Sequence, residues 1–302
     1  MTVLGPVPAQ DLGITLPHEH LFLSLFPEMR RDGVLNDYDL TKAELEPFIR
    51  ARGRTIVECT TVELQRQPQL LRQLATDTGL NIVMGTGHYR EPYLDRLWFD
   101  RHDAVAIGEL MVEEVVSGAE GGIRAGIIGE IGCQLDHISA AEERSFRAAA
   151  YAHLATGLTI STHAVTWPVG IVQLDLLESC GVDPGRVIVG HCDTVPTPGY
   201  RLGLASRGAY VQFDTIRGGM LGHQLETRLR GVLELADAGY LDRVLLSQDV
   251  CAASMLAVNG GGGYSYLLDT FVPELRKAGL DEAAIRSLLV DNPRRALTGQ
   301  LH

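Results

Sequence analysis

Pro17-His18-Glu19-His20 closes the first apolar run of the chain, Ile14-Thr15-Leu16. In an extended backbone, residues i and i+2 project to the same side. His18 and His20 therefore face one way and Glu19 the other. Two imidazoles on one side of a strand end can reach a single divalent cation. The tripeptide alone fits equally well a chance pair with one core and one surface histidine, so the rest of the chain decides.

Metal-binding side chains recur at the ends of other short β-branched runs. Gly126-Ile127-Ile128 leads into Gly129-Glu130, and Leu158-Thr159-Ile160 into Ser161-Thr162-His163. Arg186–Val189 leads into Gly190-His191, and Val244–Leu246 into Ser247-Gln248-Asp249. Thr55–Val57, Asn81–Met84 and Ala209–Val211 complete a set of eight runs. Amphipathic stretches fill the gaps. Ser139 and Glu142 form a capping-box pattern before Phe146–Leu154, and Gly157 supplies the stop. Val169–Cys180, Leu225–Ala238 and Phe271–Ala278 each end at a glycine, and Asp281 can cap a helix running to Val290. Eight alternating units predict an α/β fold, a (β/α)8 TIM barrel, as a single domain over 1–302. An open doubly wound sheet is the runner-up. It would carry a Gly-rich phosphate loop where this chain has Pro17-His18-Glu19-His20. Residues 1–13 predict a small hairpin, 105–116 a helix in the longest connection, and Asn259–Gly263 a mobile loop.

Active sites of such barrels lie at the C-terminal ends of the strands. His18, His20, Glu130, His163, His191 and Asp249 therefore converge on one mouth. Singly, each could be a satisfied core histidine or a carboxylate taking backbone donors. All together, in phase with strand termini, they point to metal. They are too many for one tetrahedral zinc and suit two divalent ions bridged by Glu130 and a hydroxide.

The bulk properties restrict the partners. A net charge of -12 argues against nucleic acid and anionic membrane surfaces. No apolar run approaches the roughly 18 residues of a membrane span, and no signal-peptide pattern opens the chain, so a cytoplasmic location is expected. The five cysteines are odd in number and form no C-x-x-C pair, which predicts reduced thiols. Cys192 adjoins His191 but should point away from it.

Leu16–His20, Ala125–Gly132, Ile160–His163, Val189–Asp193, Ala209–Thr215, Leu246–Asp249, Val258–Gly261, Tyr264–Leu268 and Asp291–Pro293 together resemble the phosphotriesterase family of the amidohydrolase superfamily, in particular its phosphotriesterase homology branch. The resemblance implies that His18, His20 and Asp249 hold a more buried metal, that His163 and His191 hold a more exposed one, and that Glu130 bridges both. Zinc is expected first, with Mn, Co or Fe as alternatives. In many relatives the bridge is a carboxylated lysine. The only lysines here are Lys42 and Lys277, both away from the strand ends. Asp249 would accept the proton of the attacking hydroxide and pass it to the leaving oxygen.

The usual phosphotriesterase relay, a histidine after strand seven and an aspartate after strand six, is replaced by Thr215 and Thr194. Asp193 and Asp214 are left as supporting residues or turn caps. Lactonases of the branch that take phosphorylated sugars use basic residues near strand eight. Residues 250–258 contain none, so only Arg90, Arg201 or Arg217 could substitute. The expected reaction is hydrolysis of a carboxylic ester, a lactone first, with N-acyl amides and promiscuous phosphotriester hydrolysis behind it. Tyr89 and Arg217 are the candidate substrate residues; Tyr89 could equally line the rim, and His88 has a lower claim. A metal-stabilised binding protein without an open metal position is the competing class. The pocket is expected between residues 88–100, 215–223 and 250–264. A small-molecule substrate and a homodimer are the expected partners.

Overall fold

The computed structural model describes residues 1–220 and 222–299. Eight parallel strands pair in chain order: β1 (Ile14–Glu19), β2 (Gly53–Glu58), β3 (Asn81–Thr86), β4 (Ile127–Gly132), β5 (Ile160–His163), β6 (Val187–Val189), β7 (Tyr210–Phe213) and β8 (Val244–Leu246). Between them run α1 (Tyr38–Arg50), α2 (Pro68–Thr78), α3 (Ala104–Val116), α4 (Ala140–Thr156), α5 (Gly170–Ser179), α6 (Tyr200–Ser206) and α7 (Gly222–Asp237). The chain ends in α8 (Val272–Lys277), α9 (Glu282–Arg286) and α10 (Asn292–Thr298). This is the (β/α)8 barrel that the alternation predicts.

The runs become strands because both of their faces are buried. Val57, Val83, Ile127, Ile188, Tyr210 and Leu245, from six strands, pack on one another with Cys59 and Ala296. Only the inside of a barrel brings such side chains together. Val244 and Leu246, on the opposite face of β8, join the larger core shared with the helices. The α4 cap forms as the pattern requires: Ser139 Oγ accepts from Glu142 N–H (3.3 Å), and Glu142 Oε2 accepts from Ser139 N–H (2.9 Å). Asp281 Oδ1 likewise takes the Ala284 N–H at 2.8 Å.

Side chains close the seam between β1 and β8. Ser247 Oγ accepts from the His18 N–H (3.1 Å) and lies 2.8 Å from both His18 O and Glu19 Oε1. Glu19, fully buried, accepts from the N–H groups of Gln248 (2.8 Å) and Val250 (3.0 Å). The glutamate that faces away from the two histidines thus clasps the last strand to the first.

Two expectations change. Residues 1–13 form no hairpin strands, only a Thr2–Gly5 bridge and a turn at Ala9–Asp11. Pro6 and Pro8 cannot donate to a ladder. The glycine run after β8 is not an open excursion. Glu44 accepts from Ala257 N–H (2.7 Å) and Val258 N–H (2.9 Å) just before it, and a Cβ on Gly261 would lie 2.2 Å from Met255 O. Among the described residues no helix is long and apolar enough to cross a membrane.

Replacing Glu19 by alanine strips acceptors from two buried N–H groups. Glu19→Ala should lower unfolding stability by about 2–5 kcal/mol. A denaturation midpoint unchanged from wild type would refute the clasp.

Candidate metal centre

Each donor is delivered by a strand end, and two glycines allow the approach. A Cβ on Gly129 would lie 2.3 Å from Ser161 O, and one on Gly190 would lie 2.2 Å from Thr162 O. The backbones of β4, β5 and β6 therefore close up just before Glu130 and His191. His191 and Asp249 both hold positive φ, 54° and 51°. Side chains other than glycine rarely keep that conformation, and it is found where function fixes the backbone.

The structure brings all six strand-end donors into one buried cluster. His18, His20 and Glu130 form one group whose donor atoms lie within 4.8 Å of one another; Glu130, His163 and His191 form a second. Glu130 Oε1 faces His20 Nε2 at 3.5 Å, and Oε2 faces His163 Nδ1 at 2.9 Å and His191 Nε2 at 3.6 Å. Asp249 Oδ1 completes the first group, 3.4 Å from His20 Nε2 and 3.9 Å from His18 Nε2. One carboxylate is shared between two sets of imidazoles, as a bridge requires.

Supporting side chains hold the far side of each ring. Asp214 Oδ1 lies 2.7 Å from His191 Nδ1, and its Oδ2 lies 3.5 Å from His18 Nδ1. Asp214 also accepts the His191 N–H at 3.1 and 3.0 Å, so it holds both the ring and the backbone that opens the turn after β6. Thr60 Oγ1 lies 2.8 Å from His20 Nδ1. Thr60 is a residue the sequence gives no reason to select: it follows β2, where no donor stands. Asp193 faces outward to Thr215 N–H (3.2 Å) and Arg228 Nε (2.8 Å), bracing the loop after β7. Cys192 Sγ turns to Val189 O, away from the centre.

The donor set fits divalent metal on two observations. His18 is wholly buried, yet neither ring nitrogen has a hydrogen-bond partner. A buried orphan of this kind is costly without a ligand. His163 Nδ1 and His191 Nε2 lie 2.7 Å apart beside Glu130, aimed at a common point. The protonation states are mixed: burial lowers His191, but Asp214 and Glu130 outweigh it and raise the ring well above its ordinary value. Burial holds His163 down to about 4, leaving a free lone pair. Burial pushes Asp249 up, but the His20 hydrogen bond and the neighbouring His191, His18 and Arg217 hold it at about 2. Burial lowers His20, and Asp249 and Glu130 outweigh it, raising the ring to about 9.

A cavity of about 500 Å³ opens onto His20, Glu130, His163 and Asp249. Tyr89, Arg90, Arg217 and Cys251 line it, from two of the expected segments and the start of the third. Leu25, Glu28 and Met29 after β1, Cys133–Leu135 after β4 and Val165–Trp167 after β5 supply walls that the expected boundary leaves out. Leu221, within the expected 215–223 wall, lies outside the described residues. Tyr89 is a buried site residue rather than a rim aromatic, its Oη 3.3 Å from His163 Nε2. Arg217 Nη1 donates to Asp249 O (3.1 Å) and faces Oδ2 at 3.4 Å. His88 turns to Glu63 (2.5 Å), and Arg201 turns to Val195 O and Glu234 outside the cavity.

Known proteins resemble the chain over most of its length. The chain matches the phosphotriesterase family over residues 1–297. The phosphotriesterase homology protein of Escherichia coli is 39% identical, over 93% of this chain and 96% of its own. A crystal structure of that protein, with phosphate in its active site, superposes with a TM-score of 0.90 at 37% identity, covering 95% of this chain and 99% of that one. An N-acetyltaurine hydrolase of Dictyostelium discoideum is 32% identical, over 87% of this chain and 74% of its own. A lactonase of Listeria monocytogenes superposes with a TM-score of 0.90 at 26% identity, covering 99% of this chain and 98% of that one.

Coordination requires a neutral imidazole, and His20 holds a proton up to about 9. Zinc titrated into stripped protein at pH 7 should release about one proton or more per chain, read by calorimetry in buffers of different ionisation enthalpy. Saturation should need two metals, and Glu130→Ala should retain at most one. Single-metal saturation of the wild type, or no proton release, would rule out the shared-carboxylate centre.

Proposed function

The chain belongs to the phosphotriesterase family, and from that premise we propose that this hydrolase acts on carboxylic esters, lactones first, with zinc as resident metal. The observation that carries the reading is the opening of the shared-carboxylate cluster onto a cavity that combines Leu25, Met29, Leu64, Val165 and Trp167 with the polar Glu28, Arg90, Gln134 and Arg217. A structural metal site is closed by protein donors; a catalytic one keeps an open face. The apolar part of this lining suits an acyl or ring carbon skeleton.

Bound to these donors, a divalent pair would lower the pKa of water and polarise the scissile carbonyl. His18, His20 and Asp249 would hold one ion, His163 and His191 the other, and Glu130 both. Asp249 directs Oδ1 at His18 and His20 and Oδ2 at Arg217. It stays ionised, so it can take the proton from the attacking water, and, as a strong acid once protonated, it can hand that proton to the leaving oxygen. Arg217 holds this carboxylate in place. Tyr89 Oη, beside His163, can donate to the carbonyl oxygen as negative charge develops there. The phosphate in the active site of the E. coli relative supports a centre that accepts a tetrahedral oxyanion, the shape through which acyl transfer passes.

Amide hydrolysis is the second reading, favoured by the likeness to an N-acetyltaurine hydrolase. The chemistry differs only in the leaving atom, and Asp249 would protonate nitrogen in place of oxygen.

Metal-loaded protein assayed against lactones, N-acyl amides and paraoxon-like triesters should turn over the first class fastest. Asp249→Asn should lose about 10²–10⁴-fold in kcat. Equal background rates for wild type and variant on every panel would leave only a metal-stabilised binding protein.

A further inference from the structure

Arg90 is buried beside the centre yet touches none of the metal-site donors. Its guanidinium lies over the rings of Tyr89 (4.9 Å to the centroid) and Tyr93 (5.2 Å). Its Nη2 meets Glu28, after β1, at 2.5 Å, and its Nη1 donates to Gln134, after β4. One planar cation thus joins the loops after β1, β3 and β4 at the wall of the cavity. Tyr89 is held between this cation and the centre. Its ring packs edge-on against His163 at 4.8 Å and against Tyr93 at 5.3 Å.

The hydroxyl of Tyr89 interacts with the Arg90 side chain and lies 3.3 Å from His163 Nε2. That contact is too long to fix a ring on its own. The ring direction therefore depends on what packs on its face, and on that face the charged group is Arg90. Side-chain orientation at a reacting centre is worth orders of magnitude in rate.

We infer that Arg90 is a positioning residue: anchored by Glu28 and Gln134, it aims the Tyr89 hydroxyl at the oxygen of the substrate. The inference rests on the carboxylic-ester or amide reading above. Arg90 acts through Tyr89. A lysine cannot replace it, because the ammonium group has no plane to stack and no fork to hold Glu28 and Gln134 together.

A double-mutant cycle tests this. Tyr89→Phe should lower kcat about 10–100-fold on the best substrate, with a smaller change in KM. Arg90→Met should show a loss of similar size, Arg90→Lys should not restore it, and Arg90→Met combined with Tyr89→Phe should lie within about threefold of Tyr89→Phe alone. Glu28→Gln, at a half-exposed rim position, should give a smaller kcat loss with unchanged melting temperature. A crystal structure of metal-loaded Arg90→Met should show the Tyr89 ring turned away from His163. Losses that multiply, full rescue by lysine, or a Tyr89 ring still in place would each overturn the inference. If wild type hydrolyses neither lactones nor N-acyl amides, the functional reading fails, and the ring position in Arg90→Met still decides the role of Arg90.

Discussion

A carboxylate buried at the β1–β8 seam carries the rest of the structure. Glu19 is fully buried, and burial raises its pKa to about 7 against the hydrogen bonds that favour the ionised form. Such a group is retained where its acceptors are needed. It takes two backbone N–H groups on either side of Asp249, while its neighbours in sequence are His18 and His20. Three of the six donors therefore hang on one side chain that faces away from them. The alternation of an extended strand makes this possible: the histidines project to one side, and the residue between them reaches the partner strand.

The centre itself is a concentration of lone pairs. His191 Nε2 and His163 Nδ1 lie 2.7 Å apart, close enough to share a proton, and beside them stand the shared carboxylate and the buried His18 ring, neither of whose nitrogens is hydrogen-bonded. Asp214 and Thr60 hold the outer nitrogens of the His191 and His20 rings, so the inner ones cannot rotate away to find other partners. Burial holds His163 neutral, and the same burial would penalise Asp249 and Glu130 without the surrounding positive groups. The fold thus fixes a donor set that suits a divalent cation.

The donors are legible in the sequence because barrel geometry converts strand ends into one mouth. His163 and Glu130 need no contact information beyond their phase with Leu158–Ile160 and Gly126–Ile128. Asp214 is legible as a nearby carboxylate but not as the group behind the His191 and His18 rings, the second of which stands at the other end of the chain. Helix α1 carries Pro47 in its interior, a residue that argues against helix. The burial of Leu45 and Phe48 overrides that cost, and propensity alone does not reveal it. The cavity walls after β1, β4 and β5 follow no periodicity. Arg90 shows the limit most clearly: its partners Glu28 and Gln134 stand 62 and 44 positions away, and nothing in the local pattern links them.

Glu130 also explains a feature of the backbone. A glutamate side chain is shorter than a lysine extended by a carboxylate, so a glutamate bridge demands that its strand come closer to the donors. The chain meets that demand with Gly129, where any side chain would collide with Ser161 O. The approach of β4 to β5 sets Glu130 Oε2 2.9 Å from His163 Nδ1 and within reach of His18 Nε2 at 3.4 Å. A bridge that is a native carboxylate needs no covalent capture of carbon dioxide. Its charge is then fixed by the fold alone. Glycine and glutamate at these two positions act as one device, because neither would place a bridging oxygen without the other.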